Sequence, residues 1–189
     1  DKTRKIAREH GAEVIKTTNK PIFHVNKQMA IDKCQGEWIL QLDADEVVSP
    51  ELAKEISEVI NMSNDEIKNR KLDSKKTRLF NRHQHLLEER DGKYGKDTEE
   101  ISAFFVPRNN YFLDRFLMYT AAYPDGVVRL IKKGKANFPC KSVHEQIEID
   151  GQLAWLENDL LHYADTSFKK YLSRSNRYTS LTAQELLDS

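Results

Sequence analysis

The feature that most constrains this chain is a short apolar run followed at once by a cluster of carboxylates. Residues 37–42 (EWILQL) predict a buried strand of a parallel sheet, and residues 43–46 (DADE) follow at its carboxyl end. A helix should begin next, because Ser49 is a favoured N-cap and Pro50 suits the first helical position. The order of strand, acidic turn and capped helix is typical of α/β folds.

Helical and strand patterns alternate along most of the chain, which predicts an α/β fold with a mostly parallel sheet flanked by helices. Helices are expected at 3–10, at 24–34, from 49 onwards and, at the C-terminus, over about 167–187. Strands are expected at 12–15, 37–42, 101–107 and 127–131. A length of 189 residues suits a single domain with a real core.

Residues 62–100 interrupt this alternation with a dense run of charged residues and few apolar ones. We interpret this segment as a polar insertion within the domain 1–189, solvated and partly mobile. The chain begins at Asp1 with a helix, a glycine and a strand pattern, which is half of an αβ unit. We therefore expect the first strand of the fold to precede this sequence.

Composition argues against two classes of protein. Lys plus Arg and Asp plus Glu both total 30, so the formal net charge is zero and no bulk-electrostatic binding of nucleic acid is expected. No stretch approaches the ~18 consecutive apolar residues of a membrane-spanning helix. The two cysteines, Cys34 and Cys140, lack CxxC spacing, and a reduced cytoplasmic setting is the expectation.

Asp43 and Asp45 are the strongest candidates for chemistry. Residues at i and i+2 leaving a strand point the same way, and ligands of parallel α/β sheets lie at the carboxyl ends of the strands. Two neighbouring carboxylates repel each other unless a cation lies between them or one is protonated. Mg²⁺ suits such a site and commonly binds substrate phosphates as well. The alternative is an acidic loop that caps the following helix.

Two ordered blocks of residues resemble family 2 glycosyltransferases. The first block comprises 26–30 (NKQMA) and 36–46 (GEWILQLDADE). The second lies within 123–135 and continues at 143–146 (VHEQ), and it is similar to the branch that includes lipopolysaccharide core glucosyltransferases. The resemblance covers most of the chain apart from 62–100.

This resemblance implies a GT-A fold and inverting transfer of a hexose-like sugar from a nucleoside-diphosphate-sugar donor to a glycolipid or polysaccharide acceptor. It also implies Mg²⁺ or Mn²⁺ as the metal, and a role in cell envelope biosynthesis. Such an enzyme would be cytoplasmic and could contact the inner face of the membrane, although no strongly basic amphipathic helix demands that contact. Part of the nucleotide pocket would belong to the missing first strand.

The resemblance suggests roles for individual residues. Asp45 would hold the metal, and Asp43 would bind the donor's ribose or sugar, or the metal through water. His144 and His162 are further metal candidates. Arg129 is a charge in an otherwise apolar strand, so it needs either a donor phosphate or one of the acidic residues as its partner.

An inverting transfer also needs a general base that takes the proton of the acceptor hydroxyl. Glu145 is the first candidate and Asp125 the second, with a turn-capping role as the alternative for Asp125. For Glu46 we favour interaction with the nearby helix end over orientation of the loop. His83 and His85 have the spacing of a metal pair, but no further ligand is clear nearby, and we interpret them as structural.

Two other functions remain open at this point. A non-catalytic nucleotide- or sugar-binding module of the same fold would explain the missing first strand, whereas the retention of Asp43, Asp45 and Glu145 argues against it. A metal-dependent nucleotidyltransferase would share the sheet and the acidic pair but not the block at 143–146. The sequence does not specify the sugar, the base, the acceptor, the linkage or the oligomeric state.

Overall fold

A computed structural model shows a mixed α/β architecture in which helices flank a seven-stranded sheet. It describes residues 2–18, 24–119, 122–140, 146–165 and 167–188. The helices are α1 (Thr3–Glu9), α2 (His24–Lys33), α3 (Pro50–Val59), α4 (Asn64–Lys68), α5 (Ser74–Asp91) and α6 (Phe168–Asp188). The strands are β1 (Trp38–Leu40), β2 (Glu46–Val48), β3 (Ile101–Phe112), β4 (Arg115–Phe116), β5 (Asp125–Lys132), β6 (Ala136–Asn137), β7 (Glu148–Ile149), β8 (Gln152–Trp155) and β9 (Leu160–Asp165). In these ranges no helix is both long and apolar enough to cross a membrane.

The sheet has the order β1-β5-β3-β9-β2, and β4 and β8 also pair with β3. The α/β class with a sheet flanked by helices is thus confirmed. The expectation of a mostly parallel sheet is not met by the described strands, because β3 pairs in parallel with β8 and β9, whereas β1–β5, β3–β5, β3–β4 and β2–β9 are antiparallel. β3, β4 and β5 follow one another along the chain with no described helix between them, and strands joined by short connections pair as antiparallel neighbours.

The local signals around the acidic turn are confirmed. β1 lies within the predicted strand, and Ser49 caps α3 by accepting a hydrogen bond from the Leu52 N–H at 3.1 Å. Leu52 and Val59 have no exposed surface and pack in one apolar cluster with Phe104 from β3. This packing of α3 against the sheet anchors the segment that follows the carboxylates.

Two short elements differ from the expectation. Residues 12–15 form no strand, because a strand needs a partner for its ladder and no described strand pairs with them. In turn, β2 was not expected, since its three residues carry too little pattern to be recognised. Gly11 does end α1 as expected, with a φ of 79°.

Residues 62–100 pack more closely on the sheet than their composition indicates. Phe80 of α5 is buried and stacks on Trp155 at a ring distance of 4.5 Å, and Trp155 stacks in turn on Phe105 at 4.8 Å. Trp155 is therefore a core residue. A single aromatic residue buries enough apolar area to dock a helix whose other residues are mostly polar, so the expectation of a merely solvated insertion needs correction.

Candidate functional site

The acidic residues 43–46 form a turn that leads from β1 into β2. The N–H of Glu46 donates to the carbonyl of Asp43 at 3.1 Å, and the Glu46 carboxylate accepts from the N–H of Asp43 at 2.9 Å. The three carboxylates have very different surroundings: the side chain of Glu46 has no exposed surface, that of Asp43 is 33% exposed and that of Asp45 45% exposed. Carboxylates that are adjacent in the sequence therefore differ in their accessibility.

Glu46 is a buried carboxylate held by two arginines. Arg129 Nη2 lies 2.7 Å and Arg108 Nη1 3.4 Å from its Oε1. A buried charge needs such partners, and together with the Asp43 N–H they attach the acidic turn to β5 and β3. Glu46 thus orients the loop, and the interpretation that we favoured, a contact with the end of α3, is wrong because Glu46 begins β2 and its charge is directed to the arginines.

Asp43 is engaged by two cations as well. Lys27 Nζ lies 2.7 Å from its Oδ1, and Arg129 Nη2 lies 2.8 Å from its Oδ2. Burial alone would raise the pKa of Asp43, but the hydrogen bond from Lys27 and the charge of Arg129 outweigh it and lower the pKa. Of the two partners expected for Arg129, the acidic residues are the ones observed.

Asp125, the first residue of β5, is similarly paired. Its Oδ2 accepts from Arg108 Nε at 3.0 Å, from Arg108 Nη2 at 2.7 Å and from Asn110 Nδ2 at 2.8 Å. Burial opposes ionisation, yet the charge of Arg108 and the bond from Asn110 keep the pKa of Asp125 below its ordinary value. A carboxylate with a lowered pKa is a weaker proton acceptor, which disfavours Asp125 as a general base.

Asp45 faces His162 of β9 at the open side of the turn. His162 Nε2 lies 3.4 Å from Asp45 Oδ2, and His162 Nδ1 lies 2.6 Å from Asn110 Oδ1. The amide nitrogen of Asn110 donates to ionised Asp125, so its oxygen can only accept, and Nδ1 of His162 must carry the proton. Burial and the charge of Arg108 lower the pKa of His162, which favours the neutral ring at pH 7.

It follows that the lone pair of His162 Nε2 and a carboxylate oxygen of Asp45 face each other across 3.4 Å. Two acceptors in this arrangement are stabilised by a proton or a cation between them. A divalent cation fits this pair, whereas Asp43 would first have to leave Lys27 and Arg129.

Within the described part of the chain, no group of three or more His, Cys, Asp or Glu residues could hold a metal ion. A cation at Asp45 and His162 would therefore need further oxygens from a bound ligand, as Mg²⁺ commonly takes from phosphates. His144 and Glu145, the other metal candidate and the first candidate for the base, lie outside the described residues.

Two cavities adjoin this group of residues, and Asp125 lines both. The first, about 400 Å³, is lined by Asn110 and His162 from the sheet and by Tyr171 and Arg174 from α6. The second, about 280 Å³, is lined by Lys27, Arg129 and, from α5, His83 and Arg90. The second cavity is rich in cationic side chains, which suits an anionic ligand. A larger cavity of about 550 Å³ lies between residues 91–96 and 146–150 and includes none of the candidate carboxylates.

The sequence reasoning singled out Arg129 but gave no role to Arg108, Asn110 or Lys27. Arg108 follows an apolar run in β3, so the rule that a charge in such a strand needs a partner would have found it. Lys27 and Asn110 carry no such signal, because polar residues on a helix or near a strand end are common. His83 and His85 form no metal pair: the N–H of Gly126 donates to His83 Nε2 at 2.9 Å, and His85 faces Glu89 on its own helix.

Comparison with known proteins adds one positive finding. A family model described as glycosyl transferase family 2 matches residues 1–135. The match includes the acidic turn, Arg108, Asp125 and Arg129, while His162 and α6 lie beyond it. No solved structure matched the chain.

Proposed function

Because the chain belongs to glycosyltransferase family 2, we propose that it transfers a hexose-like sugar, with inversion, from a nucleoside-diphosphate-sugar donor to a glycolipid or polysaccharide acceptor. The observation that carries this proposal is the open pair of Asp45 and His162 beside a buried ionic network. One carboxylate is left available, while its neighbours Asp43 and Glu46 are fixed by cations. The family match gives no support to the nucleotidyltransferase alternative.

Asp45 and His162 would hold Mg²⁺ or Mn²⁺ together with the donor diphosphate. Such a cation neutralises charge on the leaving diphosphate. Asn110 supports this role, because its bond to His162 Nδ1 keeps the Nε2 lone pair directed at Asp45. His144 remains an additional candidate ligand from the segment outside the described residues.

Asp43 would accept hydrogen bonds from the hydroxyls of the donor's ribose or sugar. Its lowered pKa keeps it ionised, so it can only accept, and Lys27 and Arg129 fix its position. These two cations also line the cavity of about 280 Å³ and would attract the donor phosphates. Binding and orientation of the donor are thus assigned to β1, β5 and α2.

Glu145 would take the proton of the acceptor hydroxyl. Asp125, the other candidate, is bound by Arg108 and Asn110 and has a lowered pKa, which makes it the poorer base. Asp125 is better suited to holding Arg108, and through it Glu46, in place. The acceptor would enter through the cavity of about 400 Å³ that α6 helps to form, at the inner face of the membrane.

Calorimetry with Mn²⁺ and UDP tests the metal assignment. Each ligand should tighten the binding of the other, with a coupling of about 5–150-fold as is typical for linked sites. Asp45→Asn should abolish the coupling, whereas Asp97→Asn, a change of the same chemistry at an exposed position, should not. Coupling that survives in Asp45→Asn would show that the cation binds elsewhere, and wild-type protein without any Mn²⁺-dependent UDP binding would contradict the donor site.

Sugar transfer with a panel of nucleotide-sugars and lipid acceptors tests the base. Glu145→Gln should lower turnover on the order of 10²–10⁴-fold, because it keeps the size but removes the proton acceptor. Donor affinity should barely change, and Glu148→Gln, exposed three residues away, is the control. If Asp125→Asn abolished turnover with donor binding intact while Glu145→Gln did not, Asp125 would be the base. Donor binding without transfer to any acceptor would favour the non-catalytic module.

A further inference from the structure

The C-terminal helix α6 keeps its apolar side uncovered. Phe168, Tyr171 and Leu172 are 55%, 37% and 44% exposed, although they recur at helical spacing. Tyr178, seven residues after Tyr171, extends the stripe and is 47% exposed. Among the described side chains from 168 to 184, only Ser175 is partly buried. The sequence predicted this helix, but a helix of this length with an apolar stripe normally packs on something.

The apolar stripe continues onto the neighbouring hairpin of β3 and β4. The ring of Phe112 packs edge-on against Tyr171 at 5.2 Å, and Leu113 at the hairpin tip is 44% exposed. We use the term α6 surface for the exposed apolar residues on this side of α6 and at the hairpin tip. They are Leu113, Phe168, Tyr171, Leu172 and Tyr178.

The first half of α6 carries charges of one sign only. Its first ten residues, 168–177, include four basic residues and no acidic one. On a helical wheel of 3.6 residues per turn, Lys170 and Arg177 fall on the side opposite the Phe168 and Leu172 stripe, whereas Lys169 and Arg174 flank the stripe. A helix with aromatic and leucine residues on one face and cations on the other matches the pattern of helices that lie in the surface of an anionic bilayer.

We infer that the α6 surface binds an anionic lipid membrane, with the helix lying in the plane of the interface. The charge pattern favours this occupant over a second copy of the chain, because anionic headgroups would neutralise the four basic residues of 168–177, and that segment of a second copy carries no acidic residue. Tyr171 and Tyr178 are also suited to the lipid–water boundary, because one end of a tyrosine side chain is apolar and the other carries a hydroxyl.

Membrane binding through α6 would place one cavity at the lipid surface. Tyr171 and Arg174 of α6 line the cavity of about 400 Å³ that also contains Asp125 and His162. This consequence rests on the proposed function, since only a lipid-linked acceptor would profit from the placement. The binding itself does not require any transfer activity.

Co-sedimentation with lipid vesicles tests the inference. The full 189-residue chain should bind phosphatidylcholine vesicles that contain phosphatidylglycerol and should bind pure phosphatidylcholine vesicles weakly. Added salt should release it, because surface attraction is screened within roughly 10 Å at ~0.1 M salt. Removing the charges with Lys169→Gln and Arg177→Gln should weaken binding by roughly fivefold for each cation.

Substitutions of the apolar residues distinguish binding through the α6 surface from nonspecific adsorption to the vesicles. Phe168→Ser with Leu172→Ser should weaken binding to the anionic vesicles, whereas Leu86→Ser, 53% exposed on α5, and Lys54→Gln on α3 should leave it unchanged. Circular dichroism verifies that α6 remains folded in the variants, and the salt dependence of the wild type gives a readout that needs no variant.

Three outcomes would overturn the inference. They are no vesicle binding by the wild type, equal binding to neutral vesicles and at high salt, and a concentration-dependent dimer that Leu172→Ser dissociates. The last outcome, measured by analytical ultracentrifugation, would assign the α6 surface to a second copy. Vesicle binding without UDP binding would support this inference and contradict only the proposed function. UDP binding without vesicle binding would contradict this inference and leave the proposed donor site in place.

Discussion

Two buried glutamate–arginine pairs lie in different parts of the molecule, and they illustrate two uses of the same chemistry. Glu55 of α3 is paired with Arg70. Its carboxylate also accepts hydrogen bonds from the backbone N–H of Glu157 at 2.8 Å and from that of Asn158 at 2.9 Å. Glu46 is held by Arg129 and Arg108 at the acidic turn. Both carboxylates are nearly or completely inaccessible to water.

The two pairs differ in the residues that lie next to them. The Glu55 pair joins α3, the segment after α4 and the loop before β9, and it satisfies backbone donors there. The Glu46 pair has Asp45 next to it in the chain, and Asp45 keeps an open carboxylate facing His162. A buried ion pair thus holds the scaffold in one region, and in the other it fixes a turn whose neighbouring residue is available for a ligand.

The largest expected effect is on the scaffold pair. Glu55→Ala should lower the free energy of unfolding by about 3–5 kcal/mol, because it leaves Arg70 and three donors without their acceptor. Urea denaturation measures the loss, and Glu58→Ala, a half-exposed glutamate of the same helix, should change stability by about 0.5 kcal/mol or less. A loss below about 1 kcal/mol would mean that Phe80, rather than this pair, docks the insertion.

Glu46→Gln should have a smaller effect on stability, but it should also change ligand binding. The amide keeps the shape but removes the charge between two arginines, so stability should fall by about 1–3 kcal/mol. UDP affinity should fall too, since the single amide oxygen cannot accept from both the arginines and the Asp43 N–H, and Asp43 loses one constraint on its position.

Glu55→Gln is the matched control for that change. It should destabilise the protein to a similar degree while leaving UDP affinity unchanged, which calorimetry and urea denaturation measure together. Equal effects of both variants on UDP binding would remove the distinction between a scaffold pair and a site pair.

The smallest effect concerns His83 of α5, which accepts a hydrogen bond from the N–H of Gly126 in β5. Burial lowers the pKa of His83, so the unfolded chain binds its proton more readily than the folded chain. Its contribution to stability is therefore complete above its unfolded pKa of about 6.5 and is lost as the pH falls towards the folded pKa.

His83→Gln should accordingly flatten the decline of stability just below pH ~6.5, with His85→Gln, an exposed position on the same helix, as the control. Denaturation at a series of pH values gives the slopes, and the depressed pKa values of Asp43 and Asp125 add a further loss at lower pH in both variants. An unchanged slope in His83→Gln would assign the decline to other groups such as His162.

Much of the framework around the site could be predicted from local signals. The apolar run at β1, the Ser49–Pro50 start of α3 and the spacing of α6 are properties of adjacent residues, and each is observed. The strand directions could not be predicted in the same way. An apolar run indicates burial but not the direction of its partner, so the antiparallel pairing of β1 with β5 was missed.

The candidate site likewise has features that the sequence predicted and features that it did not. The sequence identified Asp43, Asp45, Arg129 and His162 as candidates, partly through the resemblance to a family. It assigned the metal to Asp45 and a helix-end contact to Glu46, but it did not predict that Glu46 is buried between two arginines, because the two residues are adjacent in the chain and equally acidic. Their difference depends on Arg129, which lies 83 residues away from Glu46.

The sequence by itself therefore determined the α/β class, the family and the position of the acidic turn, since these follow from patterns within a few residues and from ordered motifs. The tertiary structure alone decided which carboxylate is neutralised and which stays open, how Phe80 docks a charged segment, and that α6 leaves its apolar side uncovered. These outcomes depend on which side chains meet across the sheet, and the burial and pairing of a charge are settled only by those contacts.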